Sequence, residues 1–185
     1  MNQELDRYLI ISSDGHAGLP AAQYREYVDP EFRDAFDVAL PIQIAATEAA
    51  AKSFLVDDIN KEWREGNDYE LSGAWDTDAR IKVMDADGIA AEVLFPCGVT
   101  EMNAPPFGAG FSMGTEGVTS ELQWAGCRAH NRWLAEFVSA APERRIGLAC
   151  IPVLWDIELA VEGVRWAKDN GLRGVVLPPM WGRFA

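Results

Sequence analysis

Three stretches of this chain repeat one plan, and that plan leaves few folds open. The segment DARIKVMDADGIAAEVLFP reads as a helix, a glycine stop at Gly88 and an apolar strand ending at Pro96. WDIELAVEGVRWAKDNGLRGVVLPP does the same, with a stop at Gly171 and a strand ending at Pro178. SELQWAGCRAHNRWLAEFVSAAPERRIGLACIP gives a helix, a polar turn around Pro142 and a strand ending at Pro152. Glycine is the residue expected just past a helix end, where the backbone turns left-handed. The strands are short and apolar with little alternation, the pattern of strands buried on both faces. Helix and buried strand in alternation imply a parallel sheet joined by right-handed crossovers.

A fourth strand comes first, in RYLIISSDGH, running from Tyr8 to Ser13 and leading into Asp14, Gly15 and His16. Residues 17 to 75 then form a long insertion. Within it the alanine-rich stretch from Ile42 to Glu65 is predicted to be a helix, and Ser72-Gly73 punctuates the return. Asp76 is the predicted N-cap of a helix running through Asp85. The segment from Cys97 to Thr119, rich in glycine and carrying the adjacent Pro105 and Pro106, follows directly on a strand end. It reads either as a loop over a site or as a flexible surface loop. Four strands are half of the eight in a closed barrel, which typically takes about 250 residues. This chain has 185, with seven after Pro178. The expectation is either an open four-stranded sheet or part of a longer chain.

Composition narrows the function classes. The formal charge of −13 opposes binding to nucleic acid phosphates and to an anionic membrane surface. It leaves a small-molecule substrate open, since a local metal or arginine outweighs the global field. No apolar run approaches the roughly 18 residues of a membrane span. The opening MNQELDRYLI lacks the pattern of a secretory signal, so the expected location is cytoplasmic. Cys97, Cys127 and Cys150 fit no zinc-finger spacing and are expected to be reduced thiols. Cys150, in IGLACIPV, is a core candidate, and Cys97 lines a site or packs.

Asp14 and His16 are the sharpest local signal. Residues i and i+2 of a strand point to one face, and active sites of parallel barrels lie at the C-terminal ends of the strands. A carboxylate oxygen beside an imidazole nitrogen suits zinc, manganese or iron. The alternative is a turn-capping aspartate next to a surface histidine. His130, the other histidine, lies in a segment of helical periodicity and is expected to be a partly exposed helix residue rather than a ligand. Two ligands fall short of the three that a catalytic zinc site takes from its protein. Trp124, Trp133, Trp155 and Trp166 read as helix-to-sheet packing. Trp181 and Arg183, after the last strand, are the candidate substrate contacts, with packing and a solvated surface position as their alternatives. The chain carries no G-x-x-x-x-G-K-[ST] and no G-x-G-x-x-G after a strand, so nucleotide binding has no positive support.

These segments, in order, resemble the amidohydrolase-related family of the aminocarboxymuconate-semialdehyde decarboxylase type. IISSDGHAGLPAAQYREYVDPEFRDAF is similar to the family's opening, WDTDARIKVMDADGIAAEVLFP to the stretch before its second strand, and residues 129–179 to its third and fourth units. The resemblance implies the N-terminal half of a (β/α)₈ barrel of the TIM type, with residues 1–185 one partial barrel domain. It also implies one divalent metal at the mouth, zinc ahead of manganese, with Asp14 and His16 in the place of the family's first ligand pair. Further ligands would lie beyond Ala185. Aspartate in the first ligand position and Leu19 where many relatives carry a glutamate are departures from the pattern.

The implied chemistry is hydrolysis or non-oxidative decarboxylation of a small organic acid, aromatic acids included. The competing expectation is a non-catalytic barrel fragment serving as a binding or assembly module. A third is a small complete α/β domain. A four-stranded piece has two open sheet edges and an uncovered apolar face, so a homo-oligomer or association with the missing half-barrel is expected.

Overall fold

Four strands make one parallel sheet in the order β1-β2-β3-β4: β1 Ile10–Ala17, β2 Ile89–Pro96, β3 Arg145–Cys150 and β4 Gly174–Val176. The structure is a computed structural model and describes residues 8–54, 56–96, 103–109 and 117–177. Each strand lies beside its predecessor and the order never reverses. A doubly wound sheet reverses at a switch point, whereas an unreversed parallel order is that of a barrel wall. The fold is thus the N-terminal part of a TIM-type barrel, as the repeated helix–strand plan predicts.

Among the described residues six α-helices accompany the sheet: α1 Arg33–Phe54, α2 Asp57–Gly66, α3 Asp68–Ser72, α4 Thr77–Ala86, α5 Ser120–Ser139 and α6 Ile157–Asp169. Their boundaries follow from local chemistry. Asp76 caps α4 by accepting from the Ala79 amide at 2.8 Å, Thr119 caps α5 through Leu122, and Asp156 caps α6 through Leu159. The two predicted glycine stops hold: Gly88 and Gly171 have φ of +70° and +83°, the left-handed region that ends a helix at low cost. The insertion helix differs from expectation. It starts at Arg33, ahead of Ile42, and the run to Glu65 is broken at Val56, whose φ and ψ of −84° and 108° are extended.

The helices cover one face of the sheet. On β2, Glu92, Leu94 and Pro96 are buried while Ala91, Val93 and Phe95 between them are half-buried; on β3, Arg145, Gly147 and Ala149 are buried and Ile146 and Leu148 are not. Strands with alternating burial correct the expectation of burial on both faces. The long apolar runs supply side chains to both faces, but these helices meet only one. β1 is the most open strand, with Ile10 and Ile11 about half exposed. The main core centres on α5, which packs Ala125, Ala129, Leu134, Phe137 and Val138 with Leu94, Ala149, Ala167 and Leu172. With Trp133 of the same cluster, 125, 129, 133 and 137 are four apart, as are 134 and 138, the spacing of one helix face. Trp124 and Cys127 join Cys150 in a second cluster, so the packing roles read for Trp124, Trp133 and Cys150 are observed.

The insertion is tied to the same helix. Asp29 receives both Arg128 and Arg132 of α5, Arg132 also donates to the Tyr27 carbonyl, and the Tyr27 hydroxyl donates to Glu136.

Candidate metal centre

Asp14 and His16 both fall within β1, near its C-terminal end. The strand is not regular there. Three steps on β1, from Ser12 to Gly15, pair with two on β2, from Glu92 to Leu94, so β1 carries one extra residue. Such a bulge bends a strand and re-aims its side chains. The Asp14 side chain is left 87% exposed and that of His16 33% exposed, with Oδ1 and Nε2 3.6 Å apart.

The other ring nitrogen of His16 faces the sheet. Its Nδ1 lies 3.2 Å from the Pro96 carbonyl oxygen at the end of β2. A carbonyl only accepts, so this contact puts a proton on Nδ1 and turns Nε2 outward, toward Asp14. Histidines that ligate metals are held this way, with the far nitrogen donating to a carbonyl or carboxylate. Two electron-pair donors 3.6 Å apart, one anionic, suit a shared cation. An imidazolium paired with a carboxylate would be the alternative. Among the described residues no group of three or more His, Cys, Asp or Glu is placed to hold a metal ion, so Asp14 and His16 stand there as a pair.

The chain leaving β1 is pinned at nearly every polar backbone group. The His16 carbonyl accepts from Arg80. Gly18 donates to the Ala74 carbonyl and accepts from the Asn103 side chain at 3.0 Å. The Leu19 amide donates to the Tyr24 hydroxyl. Strand α/β ends usually give way to mobile loops; this one is held by four separate segments.

His130 is not part of this pair. It is fully buried in α5, correcting the expectation of partial exposure. Helical periodicity locates the residue on α5 but cannot show that α5 is covered on this side by the insertion. Burial pushes its pKa down to about 3, so the ring is neutral. Its Nδ1 is 2.9 Å from the Tyr24 hydroxyl.

The segment between β2 and α5 also departs from expectation where it is described. Asn103 and residues 105–109 are buried and Ala104 is half-buried, which corrects the reading as a flexible surface loop for this stretch. The Gln43 side chain of α1 donates to the Ala104 and Pro105 carbonyls and accepts from the Phe107 amide. Phe107 is held at φ +56°, a strained value for a bulky residue. The sequence offers no local sign of Gln43 or Asn103 in these roles, because both partners are distant in the chain. Trp181 and Arg183, the candidate substrate contacts, and Cys97 lie outside the described residues. A cleft of about 290 Å³ between α5 and α6, lined by Trp124, Arg128 and Trp166, contains neither Asp14 nor His16. Among the described residues, no helix is long and apolar enough to cross a membrane.

The sequence profile of the amidohydrolase family matches residues 71–185. No curated protein matches the chain. Among solved structures, it is similar to a dihydroxybenzoic acid decarboxylase from Polaromonas sp. JS666, with bound manganese and the inhibitor 2-nitroresorcinol, at 20% identity and a TM-score of 0.45. It is also similar to a 2,6-dihydroxybenzoate decarboxylase in complex with 2,6-dihydroxybenzoate, at 19% identity and a TM-score of 0.46. The match covers 91% of this chain in both cases, but only 38% and 39% of the other chains.

Proposed function

Because this chain belongs to the amidohydrolase family, we propose that it forms part of a metal-dependent hydrolase or non-oxidative decarboxylase acting on a small organic acid, with Asp14 and His16 as two of the ligands of one divalent metal. The observation that carries this reading is the His16 contact with Pro96, which orients Nε2 beside the Asp14 carboxylate. Zinc or manganese suits an oxygen and nitrogen donor pair. When bound, such a metal polarises a carbonyl or carboxylate and lowers the pKa of a coordinated water.

The chain's own residues have distinct parts in this reading. Asp14 supplies charge and, being exposed, is free to meet a cation from solvent. His16 supplies a ring nitrogen, Nε2, that the Pro96 contact turns outward. The buried 103–109 segment, fixed by Gln43 and by Asn103 on Gly18, gives the exit of β1 a rigid neighbour. Trp181 and Arg183 remain the proposed substrate contacts, an aromatic wall and a cation for an acid. The uncovered sheet face, with Ile10 and Ile11 exposed, is proposed to be covered by association, either with further barrel strands or with a second copy. That association would bring the missing ligands. The proposed location is cytoplasmic.

Elemental mass spectrometry of the purified protein, beside an Asp14→Ala, His16→Ala double variant, tests the reading. Near-stoichiometric zinc or manganese that disappears in the variant is the expected result. Metal retained by the double variant, or absent from both proteins, sinks it. Carbon dioxide release from a panel of hydroxybenzoates, against hydrolysis of amides and lactones, then separates the two reaction types.

A further inference from the structure

Glycine stands between Asp14 and His16, and a metal pair by itself gives no reason for it. A Cβ placed on Gly15 would lie 2.9 Å from the Val93 carbonyl oxygen, 3.1 Å from Arg80 Nη2 and 3.2 Å from Glu92 Oε2. Those distances are tighter than ordinary van der Waals contact, and two of the three atoms belong to an ion pair passing directly beneath the strand. Arg80, on α4, donates to the Glu92 carboxylate of β2 through Nε at 3.0 Å and through Nη2 at 2.6 Å. Both side chains are largely buried, at 16% and 4% exposure. The remaining nitrogen, Nη1, donates to the His16 carbonyl at 3.0 Å.

The geometry of guanidinium makes these contacts one device. The group is planar and rigid, so gripping Glu92 along one edge fixes the direction of the third nitrogen. A lysine ammonium is a single point and cannot hold the carboxylate by two nitrogens while donating across the strand. A buried ion pair adds little net stability relative to apolar packing, so stability alone does not account for charge at this place. Orientation does: the pair links α4, β2 and the last turn of β1 at the peptide group of His16 itself.

We infer that Arg80, held by Glu92, is a positioning residue for His16. It fixes the His16 carbonyl and thereby the direction in which the imidazole leaves the strand, and Gly15 is bare to admit it. The inference deepens the metal reading above and rests on it for the affinity measurement, though not for the exchange measurement.

The experiment compares the full chain with Arg80→Lys, Glu92→Gln, Gly15→Ala and Val138→Ala, the last a core truncation on α5 where Val138 faces Gly147 of β3. Amide hydrogen exchange of residues 15–19 is measured without metal and referred to each variant's global stability. The dissociation constant for manganous ion is measured by electron paramagnetic resonance of the free ion. The expected result is faster local exchange at 15–19 in Arg80→Lys, with manganese binding weakened by about tenfold or more, while Val138→Ala loses stability and keeps its affinity. Affinity and local exchange in Arg80→Lys that merely track stability, as in Val138→Ala, would overturn the inference. If the parent chain binds no manganese, the metal reading fails, and exchange decides the positioning role alone: local loosening supports it and its absence overturns it. Should Arg80→Lys not fold, Glu92→Gln and Gly15→Ala are read by the same criteria.

Discussion

The Tyr24 hydroxyl stands between the Leu19 amide, at 3.1 Å, and Nδ1 of the fully buried His130, at 2.9 Å. A hydroxyl has one proton. It accepts from Leu19 and shares one hydrogen with His130 Nδ1, whose counterpart across the ring is Nε2. That nitrogen has no hydrogen-bond partner among the described residues. Through this relay α5 is connected to the chain just past the candidate metal centre.

Removing the hydroxyl should therefore cost more than one hydrogen bond. Tyr24→Phe removes the partner of the Leu19 amide and of His130 Nδ1, and each buried group left unpaired costs about 1 to 3 kcal/mol. A loss of roughly 2 to 3 kcal/mol in urea unfolding is expected. A change within about 0.5 kcal/mol, the ordinary range for a surface substitution, would show that the relay does not contribute to the fold.

Burial of neutral His130 sets a direction for acid stability. Its folded pKa, near 3, lies below the value near 6.5 of the unfolded chain. Between the two the unfolded state binds the extra proton, so stability falls as pH falls. The contribution is fully present above pH 6.5 and is lost progressively toward pH 3. From pH 6.5 to pH 5 a single such group accounts for about 2 kcal/mol. Unfolding free energies of the parent and of His130→Phe, measured at both pH values, should differ in pH dependence by about that amount. Parallel curves would mean that His130 is protonated in the folded protein.

The 103–109 segment should respond to a single methyl group placed on α5. A Cβ on Gly126 would come within 2.1 Å of the Pro106 carbonyl oxygen, a contact with backbone that no rotamer relieves. Gly126→Ala is expected to destabilise by about 1 to 3 kcal/mol and to speed hydrogen exchange across residues 103–109. Gln43→Ala, which frees the same segment from the opposite side, should have a less than additive effect in the double variant. Strict additivity would show that the two contacts do not hold one unit.

The helix–strand plan was legible in the residues because it is written in local chemistry. Asp76 and Asp156 cap helices with their own side chains, Gly88 and Gly171 turn left-handed where a Cβ would be strained, and apolar runs end in prolines that cannot continue a ladder. The same locality made Asp14 and His16 visible, since residues two apart share a face. Yet Asp14-x-His16 alone could not reveal that β1 bulges between Ser12 and Gly15, because a bulge depends on what β2 pairs with.

Other features lay beyond any local pattern. Glu92 reads as one charge in an apolar strand, and only packing brings Arg80 to it and explains why Gly15 separates the two candidate ligands. His130 reads as a helix residue, and its burial follows from an insertion that folds back more than a hundred positions away in sequence. The sequence by itself determined the elements, their order and the ligand-type side chains at the end of the first strand, since helix caps, turns and strand runs are set by neighbours in the chain. Tertiary structure alone decided which sheet face is covered, which nitrogen of His16 faces outward and what clamps the chain around it, because those depend on contacts between segments whose separation in sequence carries no local signal.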